Sequence, residues 1–231
     1  MYRWIAFDAV GTLLHPEPDV ATAYATIGRK YGSRFSADDL RPRFRQAFAD
    51  STAICLPNND GNLLTSEALE TERWRWIIAN VLHDVTDQDG CFAALYDHFA
   101  RPENWRLFDD VASVLTQLRA AGYRLALASN FDQRLHPVCR GFPELTAIET
   151  VVVSTAVGTC KPSPRFYTRL LDICGCRPDE LLMIGDDLEA DVLGPRQMGI
   201  AAYLIDRRSQ EPSETVLRSL AELPAKLGWY A

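Results

Sequence analysis

Four short segments of the sequence carry side chains that could do chemistry together. They are Asp8 to Leu13, Ser129-Asn130, Lys161-Pro162, and Gly185 to Asp191, the last with acidic side chains at Asp186, Asp187 and Asp191. Helix capping explains one or two of three like charges at a single turn, whereas a bound cation explains the crowding better. Lys161 stands out further because it is one of three lysines among 24 basic residues.

These residue types favour nucleophilic attack on phosphorus. A carboxylate held at a strand end can form an aspartyl phosphate, which splits one difficult hydrolysis into two easier displacements, and Asp8 is the candidate nucleophile. The Ser129 hydroxyl and the backbone N–H of Asn130 would hold a phosphoryl oxygen. The Lys161 ammonium would offset charge between the phosphoryl group and Asp8, because attack by one anion on another needs a nearby cation.

The four segments follow a pattern of predicted strands. Short apolar runs bounded by turn residues predict buried parallel strands at Trp4–Phe7, Arg124–Ser129, Val151–Ser154, Leu181–Gly185 and Ala201–Ile205. Helical periodicity over 111–121 and 164–174 alternates with these strands, which favours an α/β fold with right-handed crossovers and helices on both faces of the sheet. Because ligands bind outside the carboxyl ends of such strands, the four segments should converge.

The sequence pattern of residues 16–104 is different, with apolar residues at three-to-four spacing and no strand signal. Four helices are predicted there, at Val20–Tyr31, Ala37–Phe48, Ser66–Leu82 and Gln88–Phe99. We therefore expect two domains, a core formed by residues 1–15 and 105–231 and a helical insertion formed by 16–104. Trp74 and Trp76 lie two positions apart on the third helix, so one should pack in the core while the other meets solvent or the crevice.

The motifs, in their order and spacing, resemble those of the haloacid dehalogenase-like (HAD) hydrolase superfamily, in the branch with a helical cap inserted after the first motif. The resemblance spans nearly the whole chain. It implies a Rossmann-like, doubly wound parallel sheet core with an inserted α-helical cap domain. It also implies a magnesium ion (Mg²⁺) held by Asp8, the Val10 carbonyl and the acidic group of Asp186, Asp187 and Asp191. Asp191 would orient a metal-bound water, and the substrate would be a small phosphorylated molecule.

Val10 departs from the phosphatase pattern of this superfamily. Phosphatase members normally carry a second aspartate two residues after the nucleophile, which protonates the leaving alcohol and then deprotonates the attacking water. The Val10 carbonyl can still bind a metal, but its side chain cannot transfer a proton. General acid–base assistance contributes about 10² to 10⁴ in rate, so phosphate-ester hydrolysis should be slow or atypical. His15 and Glu17 are the nearest titratable substitutes.

Three functions remain open from the sequence. The first is a phosphatase-like hydrolase that forms an aspartyl phosphate with Mg²⁺ and acts on substrates with good leaving groups, such as acyl or aryl phosphates. The second is a metal-free 2-haloacid dehalogenase, because those enzymes also lack the second aspartate; Val10 fits this function, and the acidic group beginning at Asp186 does not. The third is a protein that binds a phosphate ligand without turnover.

Composition excludes several other classes. The 231 residues are 47% apolar and 24% charged with a formal net charge of −7, which indicates globular domains and gives no basic footprint for nucleic acid. No stretch approaches the roughly 18 uncharged apolar residues of a membrane helix, and Asp8 interrupts the apolar start. Six cysteines without paired C-x-x-C spacing favour reduced thiols. We expect a cytoplasmic protein, monomeric or homodimeric.

Overall fold

The computed structural model of the protein describes residues 2–54, 61–209 and 213–228. The strands within these ranges are β1 Trp4–Phe7, β2 Leu14–Pro16, β3 Trp105–Leu107, β4 Arg124–Ser129, β5 Thr150–Val153, β6 Leu181–Gly185, β7 Ala201–Ile205 and β8 Val216–Leu217. The α-helices are α1 Val20–Lys30, α2 Ala37–Asp50, α3 Glu67–Val81, α4 Gln88–His98, α5 Val111–Ala120, α6 Leu135–Arg140, α7 Ser154–Val157, α8 Pro164–Cys174, α9 Gly194–Gln197 and α10 Leu223–Lys226. No helix of the described ranges is long and apolar enough to cross a membrane.

Six strands form one parallel sheet in the order β5-β4-β1-β6-β7-β8. The first strand of the chain lies between β4 and β6, and Phe7 at its end is in register with Leu127 and Ile184. All four residues of β1 are buried, as expected for a central strand covered on both faces. The predicted α/β fold is therefore confirmed, and this order brings the ends of three predicted strands side by side.

Successive side chains of the central strands belong alternately to two hydrophobic clusters, one on each face of the sheet. Ile5 and Phe7 point to the face covered by α5, whereas Trp4 and Ala6 point to the face covered by α8. The alternation follows from the two-residue period of a strand. Helix α8 buries Phe166, Tyr167 and Leu170 on a single side. With helices on both faces, the sheet is doubly wound as predicted.

Helices α1 to α4 pack around a third cluster of their own. Its fully buried members include Leu40, Ile77, Val81 and Leu95. Each of the four helices begins with a side chain that accepts a hydrogen bond from a backbone N–H of its first turn; these N-caps are Asp19, Ser36, Ser66 and Asp87. A separate core and well-capped ends allow this segment to be inserted into the α/β chain without interrupting its sheet.

A two-stranded antiparallel sheet joins the helical segment to the rest of the chain. Strands β2 and β3 pair from Leu14 with Leu107 to Pro16 with Trp105. The sequence shows no strand signal after residue 15, yet Pro16 lies in β2, so the expected domain boundary falls inside this strand. Three residues are too few to show a strand period, and the partner strand lies far away in the sequence.

Candidate active site

The four motif segments converge at the carboxyl ends of β1, β4 and β6. A cavity of about 510 Å³ opens there, and every residue that the sequence analysis assigned to the site lines it: Asp8, Val10, Ser129, Asn130, Lys161, Asp186, Asp187 and Asp191. Asp8 directly follows β1, Ser129 ends β4, and Asp186 directly follows β6. The sheet order therefore brings the four segments together as the strand pattern predicts, because the residues that follow neighbouring parallel strands lie at the same edge of the sheet.

Lys161 lies at the centre of the charged part of the cavity. Its Nζ donates to Asp8 Oδ1 at 2.8 Å, to Asp191 Oδ1 at 2.6 Å and to the Ala128 carbonyl at 2.8 Å. Burial disfavours the ammonium, but the two carboxylates outweigh it and raise the pKa of Lys161 above its usual range. All three N–H donors are used, so the ammonium is charged and fixed in position.

Asn130 holds the backbone that carries Lys161. Its Nδ2 donates to the Lys161 carbonyl at 2.8 Å, and its Oδ1 accepts from the Lys161 N–H at 2.7 Å. The side-chain amide of Asn130 is thus both a donor and an acceptor to the same residue. The Asn130 side chain therefore positions Lys161, a contact that the sequence analysis did not foresee because the two residues belong to different motifs.

Three carboxylates share the floor of the cavity. Asp8, Asp186 and Asp191 each offer an oxygen, and these oxygens lie within 4.8 Å of one another. Asp187 does not join them; its Oδ1 accepts from the Ala190 N–H at 2.8 Å and caps the short helix Leu188–Leu193. Capping thus accounts for one of the clustered charges, and a trio remains that one lysine does not neutralise.

Two glycines let these carboxylates lie against the backbone. Gly11 has a φ of +91°, and a Cβ there would collide with the carboxylate of Asp186. A Cβ at Gly185 would collide with the carboxylate of Asp191. Thr12 donates from Oγ1 to Asp186 Oδ1 at 3.1 Å, which fixes the orientation of that side chain.

The pKa values of these carboxyl groups reflect their burial and the charges beside them. Partial burial raises the pKa of Asp186 to about 6, and the neighbouring charge of Asp8 adds to the effect. Burial also raises the pKa of Asp191 above its ordinary value, against the opposing attraction of Lys161. Hard oxygen donors with surplus negative charge are the ligand set that Mg²⁺ prefers, so the residues present fit that ion.

Aromatic and paired charged side chains form a large part of the remaining cavity wall. Helices α2 and α3 contribute Phe44, Phe48, Glu70, Arg73 and Trp74. Trp76, two residues further along α3, is 38% exposed and does not line the cavity, so the two tryptophans divide as the helical period requires. The sequence analysis left open which of the two tryptophans meets the crevice, and it missed Glu70 and Arg73, whose signal is an acid and a base three residues apart on one helix.

The residues considered as substitutes for the missing acid lie elsewhere. The ring of His15, in β2, packs 4.9 Å from the ring of Phe108, and its Nδ1 lies 3.3 Å from the Pro16 carbonyl oxygen. Neither His15 nor Glu17 is among the described residues that line the cavity. The carboxylates among the described lining residues to which the sequence analysis assigned no role are Glu70 and Glu189.

A family model described as a haloacid dehalogenase-like hydrolase matches residues 2–199. The chain therefore belongs to the haloacid dehalogenase-like hydrolase family. The protein named "Haloacid dehalogenase-like hydrolase domain-containing protein 3" in Danio rerio is 30% identical over 238 residues, which cover 97% of this chain and 96% of that protein. A phosphoserine phosphatase of Thermus thermophilus is 32% identical over 119 residues, which cover 49% of this chain and 47% of the enzyme.

Solved structures with this fold include two kinds of hydrolase. The L-2-haloacid dehalogenase from Xanthobacter autotrophicus superposes with a TM-score of 0.76 at 20% identity and 100% coverage of both chains. The HAD phosphatase from Thermococcus onnurineus superposes with a TM-score of 0.68 at 22% identity, covering 99% of this chain and 98% of that one. These likenesses show the fold, and the choice between the two chemistries depends on the site.

The raised pKa of Asp186 predicts a stability effect. Its carboxyl binds a proton more tightly in the folded chain than in the unfolded one, so the stability present below about pH 4 is lost as the pH rises through about 6. At pH 7.5 without divalent metal, Asp186→Asn should therefore stabilise the protein, by about 1 kcal/mol because solvent screens this partly exposed group. The gain should shrink towards pH 4. Urea unfolding at both pH values measures it.

Asp187→Asn provides the matched control for this experiment. It removes the same charge one residue away, and asparagine caps a helix as well as aspartate does, so the free energy of unfolding should change little. Equal stabilisation by the two variants would show a general relief of net charge rather than crowding among Asp8, Asp186 and Asp191.

Proposed function

We propose that the protein is a Mg²⁺-dependent phosphohydrolase in which Asp8 is the nucleophile. The observation that carries this proposal is the Lys161 ammonium bonded to Asp8 and to Asp191 beside a third carboxylate, Asp186. A fixed cation next to the attacking oxygen and an acidic group suited to a second cation are what an anionic nucleophile needs to approach an anionic phosphoryl group.

The proposed reaction has two displacements at phosphorus. Lys161 fixes Oδ1 of Asp8, so we assign the attack to Oδ2. A bond forms between Oδ2 and phosphorus while the bond from phosphorus to the leaving oxygen breaks, and that oxygen keeps the electron pair. Water then attacks phosphorus, the bond to Oδ2 breaks, inorganic phosphate leaves with the protons of the water, and the Asp8 carboxylate is regenerated. Ser129 and the backbone N–H of Asn130 hold phosphoryl oxygens during both steps.

Asp8, Asp186 and the Val10 carbonyl would hold the metal. Bound there, Mg²⁺ supplies positive charge that lets the phosphoryl group enter an acidic site. Asp191 keeps Lys161 in place through Oδ1 and accepts from the Asp187 N–H through Oδ2 at 3.1 Å. In this proposal residues 16–104 serve as the cap over the core formed by 1–15 and 105–231, because their helices supply the cavity wall above these groups.

Val10 limits which substrates can react. Val10 lines the cavity and, by the resemblance to phosphatases of this family, takes the place of the acid that would face the leaving group, whereas neither His15 nor Glu17 lines the cavity to replace that acid. The protein should therefore cleave phosphate compounds whose leaving group departs without a proton, such as acyl or aryl phosphates. Relatives named phosphoserine phosphatase and glyceraldehyde 3-phosphate phosphatase, each similar over about half of this chain, support phosphoryl chemistry as the class.

A 2-haloacid dehalogenase is the second candidate, favoured by Val10 and the apolar cavity wall. In that reaction Asp8 attacks carbon and halide leaves with the bonding electron pair, so neither acid nor metal is required. The acidic group argues against it, since a third carboxylate at Asp186 repels the substrate carboxylate without contributing to the reaction. The third candidate is a protein that binds phosphate without turnover. Turnover assays on phosphorylated compounds and on 2-haloacids, each with and without Mg²⁺, separate the three candidate functions.

Asp8→Asn tests the nucleophile. The amide keeps the shape of the carboxylate but is a far poorer nucleophile, so steady-state turnover of 4-nitrophenyl phosphate should fall to background while circular dichroism is unchanged. Asp187→Asn, which removes a neighbouring charge outside the trio of Asp8, Asp186 and Asp191, should keep most of the activity. Comparable rates for wild type and Asp8→Asn would remove Asp8 from the mechanism.

Mg²⁺ binding can be tested without turnover. A ligand that binds the folded chain raises the apparent stability in proportion to the logarithm of its concentration over Kd. Millimolar Mg²⁺ should therefore raise the Tm of the wild type and leave that of Asp186→Ala nearly unchanged, and phosphatase activity should disappear in excess chelator. Full activity with chelator present would instead favour the metal-free dehalogenase.

Val10→Asp tests the missing acid. An alkoxide is a poor leaving group and gains most from protonation, whereas 4-nitrophenolate departs unaided. The variant should therefore increase kcat/KM for an alkyl phosphate by about 10² to 10⁴ and change that for 4-nitrophenyl phosphate much less. His15→Ala, measured alongside, should have no effect on either substrate. Loss of activity in His15→Ala would show that His15 is the acid in spite of its position.

A further inference from the structure

Six aromatic side chains line the cavity between the charged floor and the helical segment. They are Phe44, Phe48, Trp74, Phe99, Trp105 and Phe131. Phosphoryl transfer at Asp8 uses none of them. An apolar wall of this kind desolvates whatever part of a substrate lies beyond its phosphoryl group.

The aromatic rings and one arginine form a closed cycle of contacts. Successive ring centroids lie 5.4 to 6.2 Å apart in the order Trp74, Phe48, Phe44, Tyr24, Phe99, Trp105 and Phe131. The Arg134 guanidinium closes the cycle, at 5.6 Å from the Phe131 ring and 5.5 Å from the Trp74 ring. Because neighbouring rings support one another at these distances, the wall is a preformed surface of aromatic faces and edges.

Both arginines of this wall are paired with an acid. Arg73 pairs with Glu70 at 3.3 Å. Arg134 makes a two-pronged pair with Asp132, with Nη2 to Oδ2 at 2.7 Å and Nε to Oδ1 at 2.9 Å. Both acids are buried, so each arginine is already committed to a partner. The wall therefore suits an uncharged group better than a second phosphate or carboxylate.

The cavity is also larger than a phosphoryl group needs. Its volume of about 510 Å³ falls within the roughly 300 to 1,000 Å³ that sites for drug-sized organic molecules span. A flat ring can stack or meet edge to face with the wall, and such aromatic pairs are favourable beyond the burial of their area. Shape and polarity thus select a flat, apolar substituent on the phosphoryl group.

The missing acid points to the same substituent independently. A phenol has a pKa of about 10, so a phenolate leaves far more readily than an alkoxide and needs no proton from position 10. We infer that the substrate is a phosphate monoester of an uncharged phenol or naphthol, with the aryl ring against the wall and the ester oxygen facing Val10. This inference rests on the proposed phosphohydrolase function and chooses aryl esters over acyl phosphates.

The test separates recognition of a ring from leaving-group ability. 1-Naphthyl phosphate and acetyl phosphate both carry good leaving groups, but acetyl phosphate has no ring. With Mg²⁺ present, kcat/KM for 1-naphthyl phosphate should exceed that for acetyl phosphate by at least about 10-fold, the lower end of what one apolar pocket contact contributes. Equal values, or a preference for acetyl phosphate, would overturn the inference while leaving the phosphohydrolase intact.

Variants of α3 provide the matched control. Trp74→Ala should raise KM for 1-naphthyl phosphate about 10-fold and change KM for acetyl phosphate less than twofold. Trp74→Phe, which keeps a ring, should restore most of the difference. Trp76→Ala removes an exposed tryptophan from the same helix and should affect neither substrate. Equal effects of Trp74→Ala on both substrates would show a structural role and overturn the inference.

A binding measurement keeps the inference separate from the proposed function. Absence of turnover for both substrates would reject the phosphohydrolase, and calorimetry with benzylphosphonate and methylphosphonate would then test the aromatic wall directly. Binding of benzylphosphonate at least about 10-fold tighter than that of methylphosphonate, lost in Trp74→Ala, supports an aryl site. Equal affinities overturn it.

Discussion

The structure depends on one buried ammonium held between two carboxylates. Lys161 meets Asp8 and Asp191, and taking these charges out of water costs free energy that only good geometry and further hydrogen bonds can offset. The Ala128 carbonyl provides the third acceptor and Asn130 fixes the backbone of the lysine. Removal of either carboxylate would leave one buried N–H donor of Lys161 without an acceptor, so the strands that deliver these groups cannot shift relative to one another without a penalty.

Sequence patterns predict the strands that carry the cavity floor. The bounds of β1, β4, β6 and β7 match their predicted apolar runs residue for residue, since buried parallel strands are continuous stretches of apolar side chains. All eight predicted site residues line one cavity because each follows a strand or a short loop at the same sheet edge. What the sequence could not separate was capping from metal binding at Asp187, because both uses need an acid at the start of a helix.

The wall was harder to predict for a physical reason. Which side chains of α2 and α3 face the cavity depends on how a segment with its own hydrophobic core packs against the sheet, and no periodicity encodes that arrangement. The pairing of β2 with β3 fixes it in part, since Pro16 and Trp105 lie opposite each other and both line the cavity. Long-range pairing of two three-residue strands leaves almost no local signal.

The charge balance of the floor connects Val10 to the aromatic wall. Burial, together with the neighbouring charge of Asp8, already raises the pKa of Asp186, and one lysine offsets only part of the charge of the three carboxylates. An aspartate at position 10 would add a fourth carboxylate and would be driven towards its protonated form. Valine avoids that cost and extends the apolar surface down to the nucleophile, because its side chain packs against the core beside β1. Valine at position 10 thus has two consequences: the site lacks a proton donor, and the approach to Asp8 is apolar. A substrate that needs no proton and has an apolar face fits both.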